Sequence, residues 1–208
     1  MVMNEIAEDN RGRRIAVGRL AAWAAAVAFI LLIPLVAMQF SDEWDWNLFD
    51  FVFAGTVLFG AALLYEFVAS KGGTIAYRAA CGVAIVTAVL LVWVNAAVGI
   101  IGDDEEINFL YFAVLAIGLA GALIARFQSP GMARTLLTMA VAQMLVPVIV
   151  LIIPDLRGSL WEPPGEVGVF VLNAVFALLW IGSAWLFRKA ARRDPADATP
   201  RVDPAGVR

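Results

Sequence analysis

The sequence predicts an all-α polytopic membrane protein, a bundle of six transmembrane helices with both termini cytoplasmic. Three observations predict it. Hydrophobic residues make up 62% of the chain and charged residues 16%, against about half and about a quarter in a soluble domain. The apolar residues are gathered into six runs, and a span needs about 20 such residues to cross roughly 30 Å of hydrocarbon. The basic residues fall on alternate connections, the pattern that sets orientation in a bilayer.

Residues 1–19 form a polar cytoplasmic segment carrying Arg11, Arg13, Arg14 and Arg19. The first span, 20–40, has only Gln39 as a strong polar exception. It is too long for the core of a cleaved signal peptide, and Val36-Ala37-Met38 is a poor match to the small-x-small cleavage pattern. Pro34 is expected to kink this helix, which a membrane helix tolerates. Spans two to six follow at about 47–70, 79–101, 107–125, 135–153 and 167–187. The tail, 188–208, is basic, then rich in Pro, Ala and Asp, and is expected to be disordered. The longest external loop, 154–166, contains Pro163-Pro164-Gly165, a turn signal. With 208 residues, mostly consumed by spans, no separate soluble domain is expected.

Orientation follows from the charges. Of the 15 basic residues, fourteen lie on one side if there are six spans: the four N-terminal arginines, Lys71, Arg78, Arg126, Arg134, and those from Arg188 onward. Arg157 alone lies on the other side, together with Asp42, Glu43, Asp45, Asp103 to Glu106, Asp155, Glu162 and Glu166. An odd span count breaks this segregation. Trp44, Trp46 and Trp161 fall at the external interface, and Tyr65, Tyr77 and Trp185 toward the internal one. Anchoring in the headgroup region is a sufficient reading of all six. The pairs Gly60-Ala61, Gly121-Ala122 and Gly182-Ser183 recur at a spacing of 61 residues, as a repeat or as common small-residue packing.

Several chemistries are excluded. There is no histidine and one cysteine, Cys81. That removes His-ligated metals, bis-His haem, a histidine base and any intrachain disulfide. No phosphate-binding loop, Cys-x-x-Cys pair or pair of carboxylates at helical spacing within a span is present. Asp103-Asp104-Glu105-Glu106 has no defined cation-loop spacing and reads as a solvated acidic loop that enforces orientation. No cofactor, metal or nucleic-acid partner is expected, and the chain does not read as an enzyme.

Polar residues within spans are the remaining candidates. Asp50 lies one turn into the second span, where Asn47 can cap the helix and an acid suits its dipole. Glu66, near the inner end of that span, reaches water or pairs with Arg78, Arg126 or Arg134; the functional alternative is a proton- or cation-responsive carboxylate. Asn95 and Asn173 each lie about six residues, roughly 9 Å, below the outer surface. With Asp50 they define a candidate outer-leaflet polar layer, and Gln143 sits nearer the middle, four residues before Pro147. The bland reading of these residues is hydrogen bonding between helices; the sharp one is a polar cavity open to the outside. Cys81 reads as a small hydrophobe.

Some stretches carry a resemblance. They are Trp46-x-x-x-Asp50-Phe51, Tyr65-Glu66, Tyr77-Arg78-Ala79-Ala80, Leu91-Val92-Trp93-Val94-Asn95 with Gly99-Ile100-Ile101-Gly102, and Ala125-Arg126-Phe127 with Gly131-Met132-Ala133-Arg134. Over spans two to six the chain resembles a widespread group of small bacterial multi-pass inner-membrane proteins of uncharacterised activity. The resemblance implies an inner-membrane location and assigns no functional residue. The expected role is that of a non-catalytic membrane assembly or helper protein. Its partners are the lipid bilayer and, through helix faces, a second copy or another membrane protein. The alternative is a small-solute or ion permease.

Overall fold

A computed structural model describes residues 2–40, 45–101, 105–161 and 163–192, and among these every regular element is a helix and none is a strand. Asp42, Glu43, Trp44, Asp103, Asp104, Glu162 and the tail 193–208 lie outside the described residues. Two compact units divide the chain, residues 1–66 and 67–208, and each is described by itself.

The first unit holds α1 (Val2–Ala37) and most of α2 (Leu48–Ala69). α1 is helical well before the apolar stretch begins, so much of the polar N-terminal segment extends the first span's helix rather than preceding it. It also runs unbroken through Pro34. α2 opens on a reciprocal cap. The Asn47 side-chain oxygen accepts from the N–H groups of Phe49 and Asp50, at 2.7 and 3.3 Å, and Asp50 Oδ2 accepts from the Asn47 N–H at 2.8 Å. These bonds satisfy donors that a helix start otherwise leaves open. Toward the other end of α2, Trp23 of α1 packs edge-on against Tyr65, with ring centroids 6.1 Å apart.

The second unit contains α3 (Ile75–Val98), the single turn α4 (Glu105–Asn108), α5 (Leu110–Ile124), α6 (Ser129–Ile152), a 3-10 turn at Arg157–Leu160, and α7 (Gly165–Ala191). α7 is its centre. It packs against α6 on one side and α3 on the other, and α6 packs in turn against α5. The burial follows this order. The most apolar windows of α6 and α7 are 39% buried, that of α3 22%, and those of α2 and α1 17% and 11%.

Local chemistry sets the helix ends. The Thr74 hydroxyl accepts from the Tyr77 N–H, so α3 starts four residues before the predicted span. It stops at Gly99, whose φ of 65° suits a residue without Cβ. α6 starts six residues early because Pro130 fits the first turn, where no N–H is needed; Arg134 therefore lies in the helix, not in a loop. α7 runs on through Arg188 and Lys189 to Ala191, since no Gly or Pro stands between Ser183 and Asp194 to stop it.

The turn between α5 and α6 holds two non-glycine residues at positive φ, Arg126 at 49° and Phe127 at 60°. Such residues cost roughly 1–2 kcal/mol each. Phe127 is held in place by its surroundings: its carbonyl accepts from Tyr77 Oη at 2.7 Å, and its ring meets Phe67 edge-on at 5.6 Å. Gly118 and Gly121 let α5 approach α6 closely, since a Cβ on either would run into Met139 or Thr135.

Among the described residues, five helices are long and apolar enough to cross a membrane: Val17–Ala37, Leu48–Ala69, Ile75–Ala97, Ser129–Ile152 and Gly165–Ala191. α5, with 15 residues, reaches only about 22 Å. Side chains such as Phe29, Leu48 and Ile124 are 70%, 79% and 84% exposed, a surface that suits hydrocarbon rather than water.

Candidate functional site

The second unit buries a cluster of neutral polar side chains among α5, α6 and α7. Asn173, two turns into α7, is its hub. Its Oδ1 accepts from Gln143 Nε2 of α6 at 3.0 Å. Its Nδ2 donates to Tyr111 Oη of α5 at 2.9 Å and to the Val169 carbonyl at 2.8 Å. All three side chains have no exposed surface. Gln143 Oε1 is buried without a partner. In addition, Pro147 supplies no N–H for the Gln143 carbonyl, so the polar demand at this turn is doubled.

Of the candidates read from the sequence, the fold joins Gln143 to Asn173. Asn95 stands apart from them. The contact of Ser183 Oγ with the Ala80 carbonyl, 2.8 Å, fixes the level of α7 against α3. Counting back along the two antiparallel helices, Asn173 lies level with about residue 90, five residues or roughly 7 Å from Asn95. Asn95 Oδ1 is buried and without a partner of its own. Asp50 belongs to the first unit, and its carboxylate is used by the α2 cap.

Glu66 has partners other than those expected. Its carboxylate forms an ion pair with Arg19 of α1 and accepts from Trp23 Nε1 at 2.8 Å. The partners expected for it, Arg78, Arg126 and Arg134, belong to the second unit. Arg19 and Trp23 stand four apart on one helix face, a spacing that offers two donors to one acceptor on a neighbouring helix. That spacing was present in the sequence, hidden by reading Arg19 as part of a polar segment.

Two further polar groups escaped the sequence reading. Tyr111 sits in the first turn of α5, where its hydroxyl needs a partner once the ring is buried. Asn108 is also buried; its Oδ1 accepts from the N–H groups of Ile100 and Ile101, at 2.9 and 3.0 Å, and its Nδ2 donates to the Ile101 carbonyl at 3.3 Å. The stretch after α3 thus turns inward, with Ile100 and Ile101 fully buried, instead of continuing the span to residue 101. A polar residue next to an acidic loop gave no sign that it clamps a buried loop.

Residues expected to serve as anchors divide. Trp161 and Trp185 are exposed, and Lys189 Nζ lies 5.2 Å over the Trp185 ring. Tyr77 is buried against Phe187, with centroids 5.1 Å apart, so it is a core contact. The three Gly-small pairs also differ: Gly121 meets α6, Ser183 bonds to α3, and Gly60 and Gly182 face open surface. Arg157, the exception to the charge segregation, donates from Nε and Nη2 to the Leu151 carbonyl at 3.0 and 2.9 Å, capping the end of α6.

Chemically, the cluster is limited. Amides do not titrate in the physiological range, and a phenol normally holds its proton to about pH 10. The arrangement can fix the register of three helices; it offers neither a base nor a nucleophile. Cys81 is buried in α3, and among the described residues no group of three acidic or cysteine side chains converges on a point. No family model, curated protein or solved structure matches the chain.

Proposed function

We propose that this chain is a non-catalytic integral protein of the bacterial inner membrane, with six spans and both termini cytoplasmic, that assembles with other membrane components through its lipid-facing helices. The observation that carries this reading is the closure of the Tyr111–Asn173–Gln143 cluster. Its members bond to one another and have no exposed surface. Asp50 and Glu66 are likewise engaged, by a cap and by an ion pair.

The fourth span is α4 and α5 taken together. Phe109, between them, keeps helical dihedrals of −61° and −21°, and Phe112 N–H donates to its carbonyl. The helical path from Glu105 to Ile124 then reaches about 30 Å, enough for a span.

The second reading, a small-solute or ion permease, draws on the unpartnered buried atoms Asn95 Oδ1 and Gln143 Oε1. Flux through proteoliposomes separates the two. The assembly reading expects uptake of ions and small neutral solutes equal to that of empty vesicles. Uptake above that level, reduced by Gln143→Met or Asn95→Leu, would establish the permease instead.

A further inference from the structure

The end of the second unit opposite α4 gathers cationic side chains. Three contacts bring its parts together: Tyr77 with the Phe127 carbonyl, Tyr77 with Phe187, and Phe67 with Phe127. Lys71, Arg78, Arg126, Arg134, Arg188 and Lys189 all belong to the segments that meet there. The sequence places no Asp or Glu at 67–102, 107–154 or 167–193. Among the described residues, neither Arg126 nor Arg134 has a carboxylate within ion-pair distance.

Arg134 borders a groove. The groove, about 380 Å³ in volume, runs between α5 and α6, with Ile117 and Ile124 on one wall and Thr135 and Thr138 on the other. Gly121 lies at its floor, where it permits the close helix approach. The two threonine hydroxyls already donate to carbonyls of their own helix, Gly131 and Arg134. The Arg134 guanidinium is therefore the groove's uncommitted polar donor, with a planar fork that matches a phosphate. From Ala125 to Ile117 the groove descends about 12 Å into the apolar zone.

We propose that this groove holds one anionic phospholipid of the inner leaflet, its phosphate on Arg134 and an acyl chain along Ile117 and Ile124. An apolar trough ended by an unpaired arginine fits an amphiphile better than a free anion, which would leave the trough unfilled. Basic pockets between membrane helices suit anionic headgroups for the same reason. The inference rests on the bilayer reading, and is independent of the helper role.

The test is native mass spectrometry of the full-length protein released from nanodiscs, with bound lipid counted and thermal unfolding measured in parallel. The discs contain phosphatidylglycerol and phosphatidylcholine in equal amounts. The expected result is one retained phosphatidylglycerol. Arg134→Gln should lower its retention about tenfold, as loss of a charge-assisted hydrogen bond does. Arg134→Lys should restore part of it, and Arg188→Gln, which removes an equal charge outside the groove, should leave it nearly unchanged. Thr138→Trp fills the groove with the cation intact and should also release the lipid, covering the case in which Arg134→Gln disturbs folding. Equal losses from Arg134→Gln and Arg188→Gln, equal retention of phosphatidylcholine, or competition by millimolar inorganic phosphate without loss in Thr138→Trp would each overturn the proposal. Failure of the wild type to enter nanodiscs would overturn the bilayer reading instead.

Discussion

Replacing Asn173 with alanine removes the hub of the buried cluster, and the cost can be worked from its bonds. Two of them join helices, to Gln143 and to Tyr111. Interhelical hydrogen bonds in membranes contribute about 0.6 kcal/mol each on average, so these two account for about 1.2 kcal/mol. The larger effect is on Gln143. Its Oε1 already lacks a partner, and the substitution leaves its Nε2 unpaired as well, in a site with no exposed surface. An unsatisfied buried donor costs about 1–3 kcal/mol. The expected loss for Asn173→Ala is therefore about 2–4 kcal/mol. Gln143→Met breaks the same bond but also takes away the orphaned oxygen, so it should cost about 1 kcal/mol or less. The double variant should be more stable than the sum of the two losses implies, by roughly 1 kcal/mol. Unfolding in mixed micelles of mild detergent and dodecyl sulfate measures these values, with the buried Trp180 of α7 as a fluorescence reporter. A loss below about 0.5 kcal/mol for Asn173→Ala, within the range of ordinary surface changes, would refute the reasoning. So would a Gln143→Met variant no more stable than Asn173→Ala.

Other perturbations address the remaining contacts. Gly121→Leu should destabilise by about 1–3 kcal/mol through its clash with Thr135, whereas Gly182→Leu, which meets nothing within the chain, should leave the melting temperature of the monomer unchanged and shift only its oligomeric state on native gels. Glu66→Gln keeps an acceptor for Trp23 but loses the Arg19 charge; with Arg19 60% exposed, the cost should stay under about 1 kcal/mol, and Arg19→Gln, which also leaves the Trp23 bond in place, should cost a similar amount in the same unfolding assay. Asn108→Leu frees the N–H groups of Ile100 and Ile101 and should speed amide exchange there before any global unfolding. Reporter fusions at residues 72 and 128 should be active only as cytoplasmic markers, and a fusion at 158 only as an external one; the reverse at any site would overturn the six-span topology.

The elements of the fold were largely legible because the bilayer makes them so. A long apolar run bounded by charge has one stable form in lipid, a helix, since every backbone group must be satisfied within the segment. Six such runs became α1, α2, α3, α5, α6 and α7, with errors concentrated at the ends. Those errors have local causes. Thr74 and Pro130 start helices earlier than hydropathy suggests, and Asn108 pulls residues 100 and 101 out of the third. Apolar content records where a segment is soluble in lipid, and capping chemistry decides where its helix stops.

The partners of the polar residues were not legible. Asp50 could be read as a cap because Asn47 is its near neighbour in sequence. Glu66 could not be matched to Arg19, nor Gln143 and Asn173 to Tyr111, because those pairs are separated by 30 to 62 residues. Depth along a helix can be counted from its end, whereas the direction a side chain faces depends on which helices are neighbours. By itself the sequence determined that the chain is helical, apolar and polarised in charge, since these depend only on composition and on solvation along one dimension. Which amides share a hydrogen bond, which glycines meet a neighbouring helix and which arginine borders a groove were decided by the packing of α7 between α3 and α6, because only tertiary contact turns a position along a helix into a partner across it.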